Sequence, residues 1–351
     1  MTRFFGSCTL AILAVAYAAT PALAQKLLTI YDLPSKYMDW GGLADGYDKK
    51  GLVKLTRDLK NGSSTALAAM KAEAGNPQTN GAYWALDIAV EAQRAGLTVP
   101  YKPKGFDAIP AALKEPAGYW WAVGSAYIVI GVNKDVLAKR NLKAPMGWAD
   151  LLKPEYKGLV CSMDPTWSGT ASVFMYGINF ILGGSKDDFT PGMTWLRDYQ
   201  KNGQQFRTEI VAPRLATGEC PITIDAEGNI LIDKLKGAPV DVVIPSEGVV
   251  SVNVGMSMAK GAPMPEETKA FFDWLLSSEA QEIIARAYFR PAIAGAVPPD
   301  VANVMPKVEK VVALDLQHQA DVVTKLKRAF TDIVSRGGDL SSTLKSAELA
   351  K

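Results

Sequence analysis

The sequence predicts an α/β fold built as two lobes, and three observations carry that prediction. Strand-like and helix-like runs alternate along most of the chain, and the pattern stops and restarts near the middle. Two long β-rich stretches, Tyr119 to Asn133 and Val249 to Ala259, are suited to crossing from one half to the other. With 351 residues, 48% hydrophobic and 21% charged, the chain is long enough for two globular domains and unlike a disordered or coiled-coil sequence.

Met1 to Ala24 carries Arg3, then an apolar run from Leu10 to Ala19, then Ala22-Leu23-Ala24. This is the pattern of a secretory signal cleaved after Ala24, and an exported, soluble mature chain starting at Gln25 is expected. The apolar run falls short of the ~20 residues a membrane span needs. Cys8 lies away from the cleavage point and does not read as a lipid attachment site.

Leu27 to Tyr31 reads as a strand, Gly51 to Leu59 as a second, and Ala66 to Ala74 as a helix of strong helix formers ended by Asn76-Pro77. Ala82 to Leu86 gives a third strand and Ile88 to Ala95 a helix closing at Gly96. After the first crossing, the second half runs as a strand at Gly158 to Ser162 and helices at Ala171 to Leu182 and near Pro191 to Lys201. A strand at Pro221 to Asp225, a helix to about Leu235 and a strand at Val240 to Ile244 follow. Beyond the second crossing, Pro265 to Ala287 reads as one amphipathic helix, with Glu266 and Glu267 at its positive end. Val322 to Val334 is a further helix stopped at Gly337-Gly338, and Asp339 to Lys351 is expected to be a frayed tail. Two crossings make each lobe discontinuous: residues 25–122 with 254–300 for one, 123–253 with 301–340 for the other.

Asn61-Gly62-Ser63-Ser64-Thr65-Ala66-Leu67 and Asp164-Pro165-Thr166-Trp167-Ser168-Gly169-Thr170-Ala171 each follow a strand and open a helix, one in each half. A helix start exposes unpaired N–H groups and the positive end of a dipole, so hydroxyls beside it make a compact anion receptor. The same Ser and Thr residues also suit ordinary helix caps.

Composition removes several function classes. Thirty-eight basic and 36 acidic residues give a net charge of +2, and no basic stripe points to nucleic acid. One histidine, His318, in a polar helix-like context that reads as solvated, leaves no Ser-His-Asp triad or multi-histidine metal site. No G-x-S-x-G or H-E-x-x-H motif is present, so an enzyme is not expected. Cys161 and Cys220 remain after cleavage; an oxidising compartment permits a disulfide between them, and two buried thiols are the alternative.

Met146-Gly147-Trp148-Ala149-Asp150-Leu151-Leu152-Lys153-Pro154-Glu155-Tyr156-Lys157-Gly158 resembles the W-x-D-L-l-x-P-e-y-K-G signature of bacterial extracellular solute-binding proteins that feed ABC importers. Ala72-Glu73-Ala74, Asn133-Lys134-Asp135, Ile244 to Gly248, and Phe272 to Gln281 leading to Arg290-Pro291 extend the likeness over nearly the whole mature chain. The branch it is most similar to takes ferric iron, polyamines, thiamine, phosphonates and sugar phosphates. That likeness implies the two-lobed type 2 periplasmic binding protein fold, each lobe a mainly parallel sheet with flanking helices, joined by two β crossings, with solute trapped between. It also implies periplasmic location, a small-molecule ligand and an inner-membrane ABC permease as partner, with no cofactor; a monomer is expected. Iron-binding relatives carry adjacent tyrosines in the segment that here reads Ile224-Asp225-Ala226-Glu227-Gly228-Asn229, so ferric iron is disfavoured and no metal ligand is assigned.

Ligands of open α/β sheets sit at the carboxyl ends of strands. The residues so placed are Tyr31, Asp32, Ser63, Ser64, Thr65, Trp84, Asp164, Thr166, Trp167, Ser168, Gly169, Thr170, Asp225, Glu227 and Glu247, and these are the candidate ligand-binding set. Hydroxyls and N–H groups would hold a phosphate, phosphonate or carboxylate; Asp164, Asp225 and Glu227 would hold sugar hydroxyls or an ammonium. Each acid also has an ordinary reading as cap or turn residue, and Trp84, Trp121 and Trp167 as lobe core. Arg57 and Arg207 are candidates for added positive charge. A small anionic or zwitterionic solute captured by lobe closure is expected, with a polyamine as the alternative and a ferric-iron binder or secreted hydrolase behind both.

Overall fold

A computed structural model describes residues 26–34, 37–51, 53–60 and 62–351; the expected signal and its cleavage point lie outside them, as does Asn61. Apolar, β-branched and aromatic runs form strands β1 (Leu27–Tyr31), β2 (Lys54–Asp58), β3 (Gly81–Ala85), β4 (Thr98–Val99), β5 (Trp121–Asn133) and β6 (Val160–Met163). These continue as β7 (Gln205–Arg207), β8 (Ile222–Ala226), β9 (Val240–Val243), β10 (Val250–Ala259) and β11 (Arg290–Pro291). The helices are α1 (Trp40–Asp48), α2 (Ser63–Ala72), α3 (Leu86–Arg94), α4 (Lys134–Lys139), α5 (Gly169–Ile181), α6 (Thr190–Lys201) and α7 (Ala212–Thr217). After them come α8 (Glu227–Leu235), α9 (Pro265–Leu275), α10 (Ser278–Arg286), α11 (Pro299–Ala302), α12 (Leu316–Phe330) and α13 (Leu340–Ser346).

The sheet runs β2-β1-β3-β10-β5-β8-β6-β7. Its two wings, β2-β1-β3 and β8-β6-β7, are internally parallel, as strand-helix-strand connections require. Antiparallel β10 and β5 join them. The 13-residue β5 pairs with β10 through Trp121 to Ile128 and with β8 through Ile128 to Val132, while β10 pairs with β5 from Val250 to Met256 and on its other side with β3 from Val254 to Met258. These are the two crossings expected from the sequence. Parallel wings bury both faces, and Trp40, Trp84, Trp121, Trp148, Tyr176 and Phe272 fill the core beside them. Cys161 on β6 and Cys220 before β8 are joined in a disulfide, closing the alternative of free thiols.

Four expectations are corrected. Pro265 to Ala287 is two helices: Ser277 is extended and its hydroxyl accepts from Ala280 N–H (3.4 Å), so a cap restarts the helix as α10. The C-terminal helix begins earlier, at Leu316, because Asp315 caps it through His318 N–H (3.0 Å), and it ends in a π turn over Thr331–Ser335. The expected frayed tail is the folded α13, held by buried Leu344 and Leu349 and by Phe189 N–H donating to Leu349 C=O at 2.8 Å. His318 is half-buried: its Nδ1 lies 2.8 Å from Tyr176 Oη and its ring stacks 6.2 Å from Phe189.

Candidate functional site

Five connections gather at the carboxyl ends of the strands. Asp32 leaves β1 in the left-handed region (φ 61°), a conformation that short polar side chains tolerate best. The turn brings its carboxylate back to accept from Gly62 N–H at 3.1 Å. Ser63 opens α2, and its Oγ accepts from Ala85 N–H (3.2 Å), tying the α2 start to the end of β3. In the other wing, Asp164 Oδ1 accepts from both the N–H (2.7 Å) and the hydroxyl (2.5 Å) of Thr166, while its carbonyl accepts from Trp167 and Ser168 N–H. This Asx turn delivers Ser168, which caps α5 by accepting from Ala171 N–H at 3.2 Å.

The two hydroxyl-bearing helix starts touch. Gly62 has φ 128°, and a Cβ there would lie 2.6 Å from Trp167 C=O; a Cβ on Gly169 would lie 3.2 Å from Ser63 Oγ and from Ala85 Cβ. Only glycine fits the first position, on backbone and on space. The first N–H groups of α5 have no partner within the helix, and they face this seam. Tyr37 Oη lies 3.3 Å from Thr170 Oγ1, a second bond from wing to wing.

Asp225, at the end of β8, accepts from Ala226 N–H (2.7 Å) and Asn229 Nδ2 (2.9 Å) through Oδ1; its Oδ2 is buried without a partner among the described residues. A cavity of about 20 Å³, room for one water-sized group, lies under the α5 start and is lined by Asp225, Ser162, Ser168 and Thr170. Burial pushes Asp225 and Asp32 up to about 6. Among the described residues Tyr83 Oη is buried with no close hydrogen-bond partner, and burial raises its pKa, with Tyr37 and Asp32 adding to the rise and Trp40 opposing it. The seam thus holds two phenols, two turns of hydroxyls and three carboxyls, Asp32, Asp164 and Asp225. Among the described residues no cluster of three or more His, Cys, Asp or Glu is built to hold a metal ion.

Several candidates lie elsewhere or are committed to the fold. Trp84 is core, its indole N–H donating to Ser257 Oγ at 3.2 Å, and Trp121 is buried edge-on to Phe272. Tyr31 is buried, bonded to Glu73 Oε2 (2.7 Å) under the Lys60 ammonium. Glu227 is fully buried in a fork with Arg290 (2.9 and 3.1 Å) and takes Tyr127 N–H, while Arg290 lies 4.2 Å over the Tyr127 ring. Glu247 accepts from Ala149 N–H at 3.0 Å, the turn role open to it from the sequence. Arg207 is paired with Glu209 and Glu219. Thr65 is exposed on the first turn of α2, and Trp167 stands 45% exposed at the seam's edge. Ser64 Oγ accepts from Lys327 Nζ at 2.8 Å. Tyr37 and Lys327 escaped sequence reasoning because neither follows a strand; long-range packing alone brings them to these turns.

Residues 87–318, well over half of the chain, match the model of a family described as bacterial extracellular solute-binding protein. The chain belongs to that family. Membership makes it a solute-binding component of an ABC transport system, with a small-molecule ligand and a permease partner. An uncharacterized protein of Haemophilus influenzae is 35% identical over 241 residues, 65% of this chain and 67% of its own. The spermidine/putrescine-binding periplasmic protein of Escherichia coli is 25% identical over 215 residues; that match covers 59% of this chain and 56% of the relative. The periplasmic binding protein AfuA of Actinobacillus pleuropneumoniae, solved with exogenous fructose-6-phosphate bound, superposes with a TM-score of 0.79 at 26% identity, over 88% of this chain and 99% of AfuA. A ferric ion-binding protein of Pasteurella haemolytica, at 20% identity and TM-score 0.71, shares the fold. These likenesses fix the fold as the type 2 periplasmic binding protein fold.

Proposed function

We propose that this chain captures a small anionic or zwitterionic solute, such as a sugar or polyol phosphate or an aminophosphonate, in the seam between its wings. The anionic group sits on the starts of α2 and α5, at Ser63, Ser64, Ser168, Gly169 and Thr170. Asp32 and Asp225 accept from hydroxyl or ammonium groups on the rest of the molecule. The observation that carries this reading is the contact of two hydroxyl-bearing helix starts, one from each wing, with a buried, unpartnered carboxylate oxygen beside them. The likeness to AfuA supports it. Capture works by closure of the lobes, residues 25–122 with 254–300 against 123–253 with 301–340, hinging on β5 and β10. The mature chain, beginning at Gln25 after export, acts as a monomer.

A second reading, a polyamine receptor, is favoured by the seam's carboxyls and by the likeness to the spermidine/putrescine-binding protein. Thermal shift followed by calorimetry separates the two. The probes are fructose 6-phosphate, 2-aminoethylphosphonate, inorganic phosphate, putrescine and spermidine. A rise in melting temperature with a phosphorylated probe, and none with the polyamines, is expected; the reverse pattern rejects the anionic reading.

A further inference from the structure

Helix α12 belongs to neither turn, yet it reaches one of them. It packs between α3 and α5, its last residue Phe330 lies edge-on to Phe206 of β7 at 4.9 Å, and the segment after it packs on α6. On its α3 side, Arg94 pairs with Asp321 and bonds Gln317. One turn further along, Lys327 extends its ammonium to Ser64 Oγ (2.8 Å), the one bond from an ammonium to a hydroxyl of either helix start among the described residues. Ser64, Thr166, Lys327, Arg328 and Arg336 line one groove of about 600 Å³ that touches one residue of each hydroxyl-bearing turn, Ser64 and Thr166. That is room enough for a phosphate-sized group.

A serine in a helix ordinarily turns its proton back to a carbonyl of the preceding turn or to water. A hydroxyl that accepts from an ammonium has a fixed acceptor side, and its own O–H is left to donate into the groove, more strongly for being polarised. The acids facing the ammonium are Asp87 and Glu91 from α3 and Asp164 from the turn. Glu91 is already paired with Lys71 (2.8 Å), and Asp164 is occupied by Thr166. Asp87 is fully buried, which favours its neutral form. Burial lowers the Lys327 pKa and these acids oppose that fall.

We infer that Lys327 is a positioning residue of the solute site: by donating to Ser64 it orients that hydroxyl toward the solute's anionic group and sets positive charge behind it. The preference for an anion is then written partly in the C-terminal helix, outside the turns that meet the solute. This inference rests on the anionic reading above.

Calorimetry with fructose 6-phosphate on the full mature chain tests it, using Lys327→Met, Lys327→Arg, Ser64→Ala and the Lys327→Met/Ser64→Ala double variant. Lys327→Met is expected to weaken binding about tenfold, or about 1.4 kcal/mol, and Lys327→Arg to recover most of it. The double variant should lose no more than the worse single, because both substitutions remove one relay. In wild type the affinity should fall with added salt, and less steeply in Lys327→Met. Losses that add, or a Lys327→Met variant that binds as wild type, overturn the positioning role while leaving the anionic reading intact. Wild type that binds no phosphorylated probe and takes up spermidine overturns both. Because Lys327→Arg keeps the charge and Ser64→Ala removes only one oxygen, a poorly folded Lys327→Met does not block the decision.

Discussion

Gly169→Val separates closure from folding. Gly169 is the first residue of α5, in helical backbone, so valine there meets no conformational strain and leaves the N–H in place. A Cβ at that position already comes to 3.2 Å from Ser63 Oγ and from Ala85 Cβ, both on the opposite wing, and valine adds two methyl groups beyond it. Overpacking a fitted contact costs roughly 1–3 kcal/mol, and under the proposed closure the clash arises only when the wings meet. The cost therefore falls on the bound form, and a loss of roughly 5- to 150-fold in affinity follows. Gly169→Ala, whose single methyl needs a shift of a few tenths of an ångström, should lose less than tenfold. Calorimetry with a binding phosphorylated probe gives the affinities, and small-angle scattering reads the compaction on saturation. Equal affinity and equal compaction in wild type and Gly169→Val would refute the claim that solute capture brings these two helix starts together.

Three further outcomes follow from the same coordinates. Asp225, raised by burial to about 6 from an unfolded value near 3.8, holds its proton more tightly when folded, so its share of stability is full below pH 4 and is lost as pH rises through 6. Asp225→Asn should raise stability at pH 7.5 by up to about 3 kcal/mol and flatten the slope between pH 4 and 6, with Asp32 keeping its own share; an unchanged slope in thermal melts would count against the buried charge. Arg290→Met strands the fully buried Glu227 carboxylate and should destabilise by about 3 kcal/mol, with Glu227→Gln in the same chain recovering much of it; chemical denaturation reads both, and no recovery would reject the pairing. Reducing Cys161–Cys220, 59 residues apart, should lower stability by about 4 kcal/mol on loop entropy, with intact mass before and after reductant checking the bond.

The strand-turn-helix units were legible because each is local: hydrophobic period, cap and breaker all lie within a dozen residues. Leu27–Tyr31 reads to the residue, and the long β-rich runs could only be crossings because neither offers a turn. The two helix starts were legible for the same reason, since Ser168 must cap whatever helix follows it. Misreadings begin where one side chain chooses between two distant partners. Glu227 is a first-turn acid in the sequence, and only the fold brings Arg290, 63 positions later, onto it. Trp84 lies at the end of a strand as a cleft residue would, but strand alternation turns it into the core, where its indole N–H donates to Ser257 Oγ on the neighbouring β10. The C-terminal helix was misread at its start, where the Asp315 cap adds a polar first stretch that apolar periodicity does not mark, and the tail was misread because buried Leu349 is held by the distant Phe189 N–H.

The balance of charge at the seam bears on which solute suits it. Two helix starts contribute roughly half a positive charge each, and Lys327 adds up to one more behind Ser64. Opposite them stand Asp32 and Asp225, carboxyls that burial leaves part-protonated near pH 6 and fully charged above it. Asp164, held by Thr166 in the α5 turn, adds a third carboxyl, so the seam offers partners for both signs of charge and neither a bare dianion nor a bare polycation satisfies all of them. A polyamine would satisfy the carboxyls and set its ammonium groups against the positive helix ends. A lone phosphate would satisfy the helix starts and leave Asp225 Oδ2 buried without a donor, a deficit of about 1–3 kcal/mol. A molecule with an anionic group at one end and hydroxyl or ammonium donors at the other meets both demands in a single pose. That match, more than the sign of any one residue, supports the proposed preference for a phosphorylated polyol or an aminophosphonate over spermidine.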